Sequence, residues 1–190
     1  MRFYVVDDGY IRHLKAIDQR VPDNVSGRRT YIGIILEIGG FNYFAPLTSP
    51  KAHHANLSAQ DPRFFKLHEK GNSQNPLGLI RLISMLPLAE GTYRMLAVKD
   101  EDEHYQRLLV NQIRFIVSNQ EAIKDKARDL YNQVTVDKNP VYIAQCDFIA
   151  LESGCRQYAQ NQVRPAAVAN PVDADARPNA HKPTLTLNRK

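Results

Sequence analysis

Tyr31-Ile-Gly-Ile-Ile-Leu-Glu-Ile-Gly-Gly-Phe-Asn-Tyr-Phe-Ala-Pro-Leu-Thr-Ser-Pro-Lys51 is the stretch on which the fold turns. Thr30 to Ile38 is β-branched and apolar at both alternating sets of positions, which predicts a strand buried on both faces. Gly39-Gly40 supplies residues that tolerate positive φ, and Phe41 to Leu47 reads as the return strand of a hairpin. The hairpin runs out into Thr48-Ser49-Pro50-Lys51. Ser-Pro commonly opens a turn, and Ser and Thr hydroxyls satisfy turn backbone groups, so one reading of these four residues is a plain turn. A second reading comes from the charges nearby. Arg28 and Arg29 precede the first strand and Lys51 follows the second. In a hairpin those two ends are neighbours. Arg28, Arg29, Thr48, Ser49 and Lys51 are therefore expected to meet at one end of the sheet. Cations beside hydroxyls on a rigid rim make a phosphate site.

Upstream, Phe3 to Val6 reads as a short strand. Asp7 or Asp8 caps a helix whose stripe is Tyr10, Ile11, Leu14 and Ile17. Gln19 to Arg29 is turn-rich. Downstream, residues 48–62 read as a polar loop, Arg63 to His68 as a strand and Lys70 to Pro76 as a loop. Leu77 to Leu82 and Met85 to Leu88 read as strand pieces interrupted by Pro87. The period then changes. Tyr105, Leu108, Leu109, Gln112 and Ile116 share one helical face, Ile123, Ala127, Leu130 and Val134 mark a second helix, and Phe148, Leu151 and Tyr158 a third. This is an α+β chain with a compact, strongly curved, barrel-like antiparallel core, flanked by helices that fill the second half. Residues 1–160 are expected to form one domain. Residues 161–190, rich in proline and alanine, are expected to be a flexible basic tail.

The chain has 190 residues, 43% hydrophobic, and a net charge of +5. Arg164, Arg177, Lys182, Arg189 and Lys190 against Asp173 and Asp175 put +3 of that in the tail, so the body is only weakly basic. A nucleic-acid partner must then be argued from where the charges sit. No apolar run is long enough for a membrane span, and the N-terminus lacks a signal-peptide core. Two cysteines, Cys146 and Cys155, fit reduced thiols in the cytoplasm. No phosphate-binding loop, dinucleotide fingerprint, zinc-protease or serine-hydrolase motif occurs. Adjacent His53 and His54 are poorly placed to ligate one metal, so neither a metal nor a cofactor is expected.

His54 is able to move protons near neutral pH. Lys66 and His68 alternate with Phe65 and Leu67 and share a strand face. These three are candidates for catalysis or RNA binding, or are simply solvated. Tyr31, Tyr43, Phe44 and Phe64 are candidates to stack unpaired bases beside the basic rim, with core packing as the alternative.

Four ordered segments carry a resemblance. Tyr31 to Ile38 followed by Tyr43-Phe-Ala-Pro-Leu-Thr-Ser-Pro-Lys51, then Phe65-Lys-Leu-His-Glu-Lys-Gly71, then Leu77-Gly-Leu-Ile-Arg-Leu-Ile-Ser-Met-Leu-Pro-Leu88, and the opening Phe3-Tyr4 with Tyr10-Ile11 and Val21-Pro22, together resemble the toxins of type III toxin–antitoxin systems, the ToxN/AbiQ family. The resemblance implies a metal-independent endoribonuclease with a core similar to the Kid and MazF toxins. It implies cleavage of cellular or phage RNA at A-rich sequences by 2′-OH attack, leaving a 2′,3′-cyclic phosphate and a 5′-OH. It further implies that the enzyme processes its own repeat RNA antitoxin, a pseudoknot, and is silenced by it in a ring-like complex. A role in abortive infection by phage follows. Thr48, Ser49 and Lys51 match the family's catalytic motif. Arg29 stands where the family has a basic residue, often lysine, ahead of its aromatic-Ile-Gly strand, and His54 matches a family histidine. The alternative from another class is a non-catalytic module that binds single-stranded RNA with the same basic rim and aromatics.

Overall fold

A computed structural model describes residues 1–22, 32–142 and 145–163. The chain order is β1 (Tyr4–Val6), α1 (Asp8–Ile17), β2 (Ile32–Ile38), β3 (Phe41–Thr48), β4 (Phe64–Glu69), β5 (Asn72–Arg81), β6 (Leu86–Pro87), β7 (Tyr93–Met95), α2 (Glu103–Ser118), α3 (Gln120–Thr135) and α4 (Phe148–Val163). Among the described residues this is a mixed α+β fold, with an antiparallel sheet of seven strands and four α-helices.

The sheet is built around the hairpin. Gly39 and Gly40 have φ of 59° and 80°, the paired left-handed residues that a two-residue hairpin turn requires. They fix the register of β2 on β3 from Gly33 opposite Pro46 to Ile38 opposite Phe41. The strand path is β4-β5-β3-β2-β1-β7, with β6 on β3. Among the described residues it does not close: β4 and β7 are its two ends. The edge of β3 away from β2 is shared by two strands. Tyr43 and Phe44 pair with β6, whereas Leu47 and Thr48 pair with β5. The sheet therefore forks at the C-terminal end of β3, and Thr48 stands at the fork.

The helices cover this sheet and bury Leu14, Ile34, Leu36, Met85, Leu130 and Leu151 completely or nearly so. Each such side chain contributes about 1.5–3 kcal/mol by leaving water. Asp7 caps α1 by accepting from Tyr10 N–H. Gln112 of α2 is buried and donates to Leu77 O at 2.7 Å, which pins α2 to β5. Asp18 spans two ends of the chain: it accepts from Arg20 and from the Asp147 N–H at 2.7 Å, just before α4. Burial pushes the Asp18 carboxyl up, but these hydrogen bonds and the Arg20 charge outweigh it and hold the group below its ordinary value.

Two expectations from sequence are corrected by burial. Tyr43 and Phe44 are both fully buried and present no ring face to a base. Phe44 packs where Gly33 leaves room, since a Cβ on Gly33 would meet its ring. Tyr43 donates to Glu152 Oε1 at 2.7 Å, and the same oxygen accepts from Tyr131 at 2.9 Å. Glu152 is itself buried, so a carboxylate of α4 is held by hydroxyls of β3 and α3. Burial first, and then the Glu152 carboxylate, push the Tyr43 phenol far above its ordinary value, so it remains a donor. Tyr43→Phe is expected to lower stability by about 1–2 kcal/mol, because a buried carboxylate oxygen loses one of its donors. Urea unfolding of the variant checks this, and an unchanged midpoint would contradict it.

The remaining differences are local. The loop expected at Lys70 to Pro76 is mostly the start of β5, because pairing with β4 overrides its polar composition. Strand β7 has no counterpart in the sequence reading. No helix among the described residues is long and apolar enough to cross a membrane. The expected tail lies almost wholly outside the described residues.

Candidate active site

At the fork, β3 delivers Thr48 and then releases Ser49, Pro50 and Lys51 to the surface. A short 3-10 helix, Ala52–Asn56, follows at once and turns the chain back. It is closed by His54 N–H donating to Lys51 O at 2.9 Å. The Lys51 N–H in turn donates to His54 Nδ1 at 3.3 Å. That bond places the His54 proton on Nε2. From the neighbouring strand β4, Lys66 Nζ donates to Ala55 O at 3.3 Å and ties the turn to the sheet.

These groups line one cavity of about 450 Å³ that includes Lys51, His54, Lys66, His68 and Leu79. The strand register explains why they meet. Thr48 lies opposite Leu79 and Leu79 opposite Lys66, so the three stand in one row across β3, β5 and β4. The pairing of β4 with β5 shifts register between Leu67 and His68, and the His68 ring lies 6.0 Å from that of Phe115 on α2. Two buried side-chain polar atoms lack a hydrogen-bond partner among the described residues, Thr48 Oγ1 and His68 Nδ1, and both belong to this site. Buried polar groups are almost always paired, and functional sites are where exceptions gather. Among the described residues no three His, Cys, Asp or Glu side chains converge in a way that would hold a metal ion.

The electrostatics are cationic. Burial, followed by His53, Lys51, Lys66 and Arg81, pushes the His54 imidazole below its ordinary value. It is therefore neutral at pH 7 and offers its Nε2–H as a donor. A neutral donor among two lysines and an arginine can grip an anionic oxygen and hand it a proton.

The structure thus brings Lys51, His54, Lys66 and His68 around one cavity, with Thr48 paired to Leu79 of its lining and Ser49 next along the chain. Phe64 is half-buried on β4, with the Arg63 guanidinium 5.2 Å from its ring centroid. Arg28, Arg29 and Tyr31 lie outside the described residues. Arg81 is a residue that sequence reasoning missed. It sits at the end of the apolar run Leu77-Gly-Leu-Ile-Arg81, which reads as core, and only strand pairing shows that its position shares the face of Lys66.

Known proteins match most of this chain in sequence and in fold. The sequence profile of the family described as Toxin ToxN, type III toxin-antitoxin system, matches residues 2–156. The chain belongs to this family. The ToxN-family assignment is shared by its relatives. Endoribonuclease ToxN of Pectobacterium atrosepticum is 37% identical over 165 residues, covering 84% of this chain and 95% of that protein. The solved structure of AbiQ, a lactococcal anti-phage endoribonuclease of the type III toxin–antitoxin system, superimposes with a TM-score of 0.75 at 28% identity, covering 84% of this chain and 98% of that one. A further solved chain, from work on selective toxin inhibition by a non-coding RNA pseudoknot, gives a TM-score of 0.70 at 27% identity, covering 83% and 96%. The family match spans the forked sheet and the first three helices of this ToxN-family chain, and ends within α4.

Proposed function

We propose that this chain is the toxin of a type III toxin–antitoxin system and an endoribonuclease. The observation that carries the reading is the family match over residues 2–156, with curated relatives named endoribonucleases. The row of Thr48 and Lys66 beside Ser49, Lys51 and His54 supports it chemically, because it offers hydroxyls, cations and a neutral donor to one phosphate.

The mechanism uses the substrate's 2′-OH as nucleophile. The 2′-OH gives up its proton to water as its oxygen attacks the adjacent phosphorus, the bond to the 5′-oxygen breaks, and the departing 5′-oxygen takes up a proton. The products are a 2′,3′-cyclic phosphate and a 5′-OH. Thr48 and Ser49 orient the phosphate and the 2′-OH. Lys51, with Arg29, stabilises the charge that builds on the non-bridging oxygens. His54 Nε2–H is poised to protonate the leaving oxygen, and Lys66 and His68 bind the strand. The step needs no metal, and A-rich RNA is the substrate. The protein also cuts its own repeat RNA antitoxin, and that pseudoknot RNA inhibits it within a ring-like complex; one biological outcome is abortive phage infection. The same reading takes the fork at β3 as the strong curvature of a Kid/MazF-like core. It takes residues 1–160 as one domain working in the cytoplasm and 161–190 as a basic tail.

Incubating the purified protein with RNA in excess EDTA and mapping 5′ ends tests this reading. New 5′-OH ends in A-rich sequence are expected, and adding the repeat RNA encoded beside the gene suppresses them. RNA bound but left intact would favour the non-catalytic binding module and contradict the proposal.

A further inference from the structure

Arg81 stands one step along the sheet from the row just described. It lies opposite Phe64, and both are two residues from the pair Leu79 and Lys66. Side chains two apart on a strand share a face, at a separation of about 7 Å. Arg81 and Phe64 therefore lie on the face that carries Thr48 and Lys66, displaced by about one nucleotide step of an extended strand. Leu79, between them, is buried yet stands apart from the main core cluster, as expected for the cavity side of the sheet.

The charges around this pair are uneven. Arg63, the neighbour of Phe64, is neutralised by Asp61 at 2.7 Å. Arg81 is half-buried, and among the described residues neither a carboxylate nor a hydrogen-bond acceptor takes its guanidinium. Its guanidinium is thus free to take an anion. Its charge reaches the site, since His54 feels Arg81 from β5 as well as Lys66 from β4 and Lys51 and His53 from its own turn. The Arg63 guanidinium, itself held by Asp61, lies 5.2 Å from the Phe64 ring centroid and backs one face of the ring.

We infer that Arg81 and Phe64 form a second nucleotide subsite beside the scissile position, with the guanidinium taking the flanking phosphate and the ring stacking the flanking base. The inference rests on the endoribonuclease reading and adds to it a place where substrate outside the cut bond is gripped. Arginine suits the role because its planar fork matches two phosphate oxygens at once. Single-stranded RNA leaves its bases free for an aromatic ring, and stacking tolerates any base. Recognition here is therefore of strand and charge, not of sequence.

The test is a double-mutant cycle on oligonucleotides with one cleavable linkage. In two of them the linkage on one side or the other is a neutral methylphosphonate. Wild-type protein is expected to lose about tenfold in KM with one methylphosphonate position and to keep kcat within about twofold. Arg81→Ala is expected to show the same loss on the all-phosphate oligonucleotide, with no further loss on the neutral one. Arg81→Lys recovers part of it. The slope of log KM against log salt falls by about 0.7 in Arg81→Ala, the value for one phosphate contact on a single strand. Its His54 NMR titration midpoint moves up, and its thermal unfolding does not change. Phe64→Ala raises KM on both oligonucleotides alike. Equal losses for Arg81→Ala on all substrates, or an unchanged salt slope, overturn the subsite. Wild-type protein that cuts no oligonucleotide overturns the nuclease reading instead. The salt slope of binding to the uncut strand then judges Arg81 alone, and an unchanged slope in Arg81→Ala overturns the subsite.

Discussion

Lys51→Ala is expected to slow RNA cleavage by about 10²–10³-fold, the usual loss when one preorganised donor to a transition-state oxyanion is removed. Lys51 is exposed, at the exit of β3, and its side chain holds nothing of the core. Folding should therefore be unaffected, with a thermal midpoint like that of the wild type. The loss should fall on kcat, because the charge on the phosphorane exceeds that on the phosphodiester. Binding of the uncut strand should weaken far less. The variant should also be tolerated by cells that the wild-type chain kills. Single-turnover cleavage of a defined oligonucleotide checks the rate, and wild-type speed would remove Lys51 from the site.

Gly78→Ala carries the largest expected effect on the fold near the site. Gly78 has φ +127°, a backbone conformation that L side chains rarely adopt. A Cβ there would also run into the Thr48 carbonyl oxygen. The obstacle is backbone, so no side-chain adjustment relieves it. Strain and lost pairing together should cost about 3 kcal/mol. The damage is directed at the fork, since Gly78 is next to Leu79, the partner of Thr48. Cleavage should fall with stability, and should stay low even at temperatures where the variant is folded. Gly91→Ala is the control: φ is +79° but a Cβ would meet nothing within 4 Å, so only backbone strain of about 1 kcal/mol is expected. Denaturant unfolding of the two variants side by side gives the comparison. Equal, small losses would show that β3 and β5 need no close approach at Thr48.

The hairpin was legible in the sequence because its signals agree. β-Branched residues at both alternating positions mark β2, and Gly39-Gly40 marks the turn. Asp7 and the stripe of Tyr10, Ile11 and Leu14 made α1 equally plain, and the 3.6-residue period did so for α2 and α3. Where the reading failed, a tertiary contact decided. Tyr43 and Phe44 occupy successive positions, and in an ordinary half-exposed strand one of them would face water. Here Gly33 makes room for Phe44, and Glu152, far along the chain on α4, takes the Tyr43 hydroxyl. Asn72 to Pro76 has loop composition, yet β4 pairs with part of it. Strand β7 spans three residues and exists because β1 offers it an edge. The rim itself was legible as Thr48-Ser49-Pro50-Lys51 beside His54. Lys66 and His68 were legible from their alternation with Phe65 and Leu67; Arg81 was not, because the cross-strand pairing that sets it two residues along from the row of Thr48, Leu79 and Lys66 leaves no local pattern.

The central claim is that this rim makes the RNA's own 2′-OH cut the chain. An oligonucleotide carrying a single 2′-deoxyribose just 5′ of the mapped cleavage bond tests it most directly. The account predicts that cleavage at that bond disappears while binding is retained, and that the all-ribose strand yields a 2′,3′-cyclic phosphate and a 5′-OH. Continued cleavage at the deoxyribose position would contradict it.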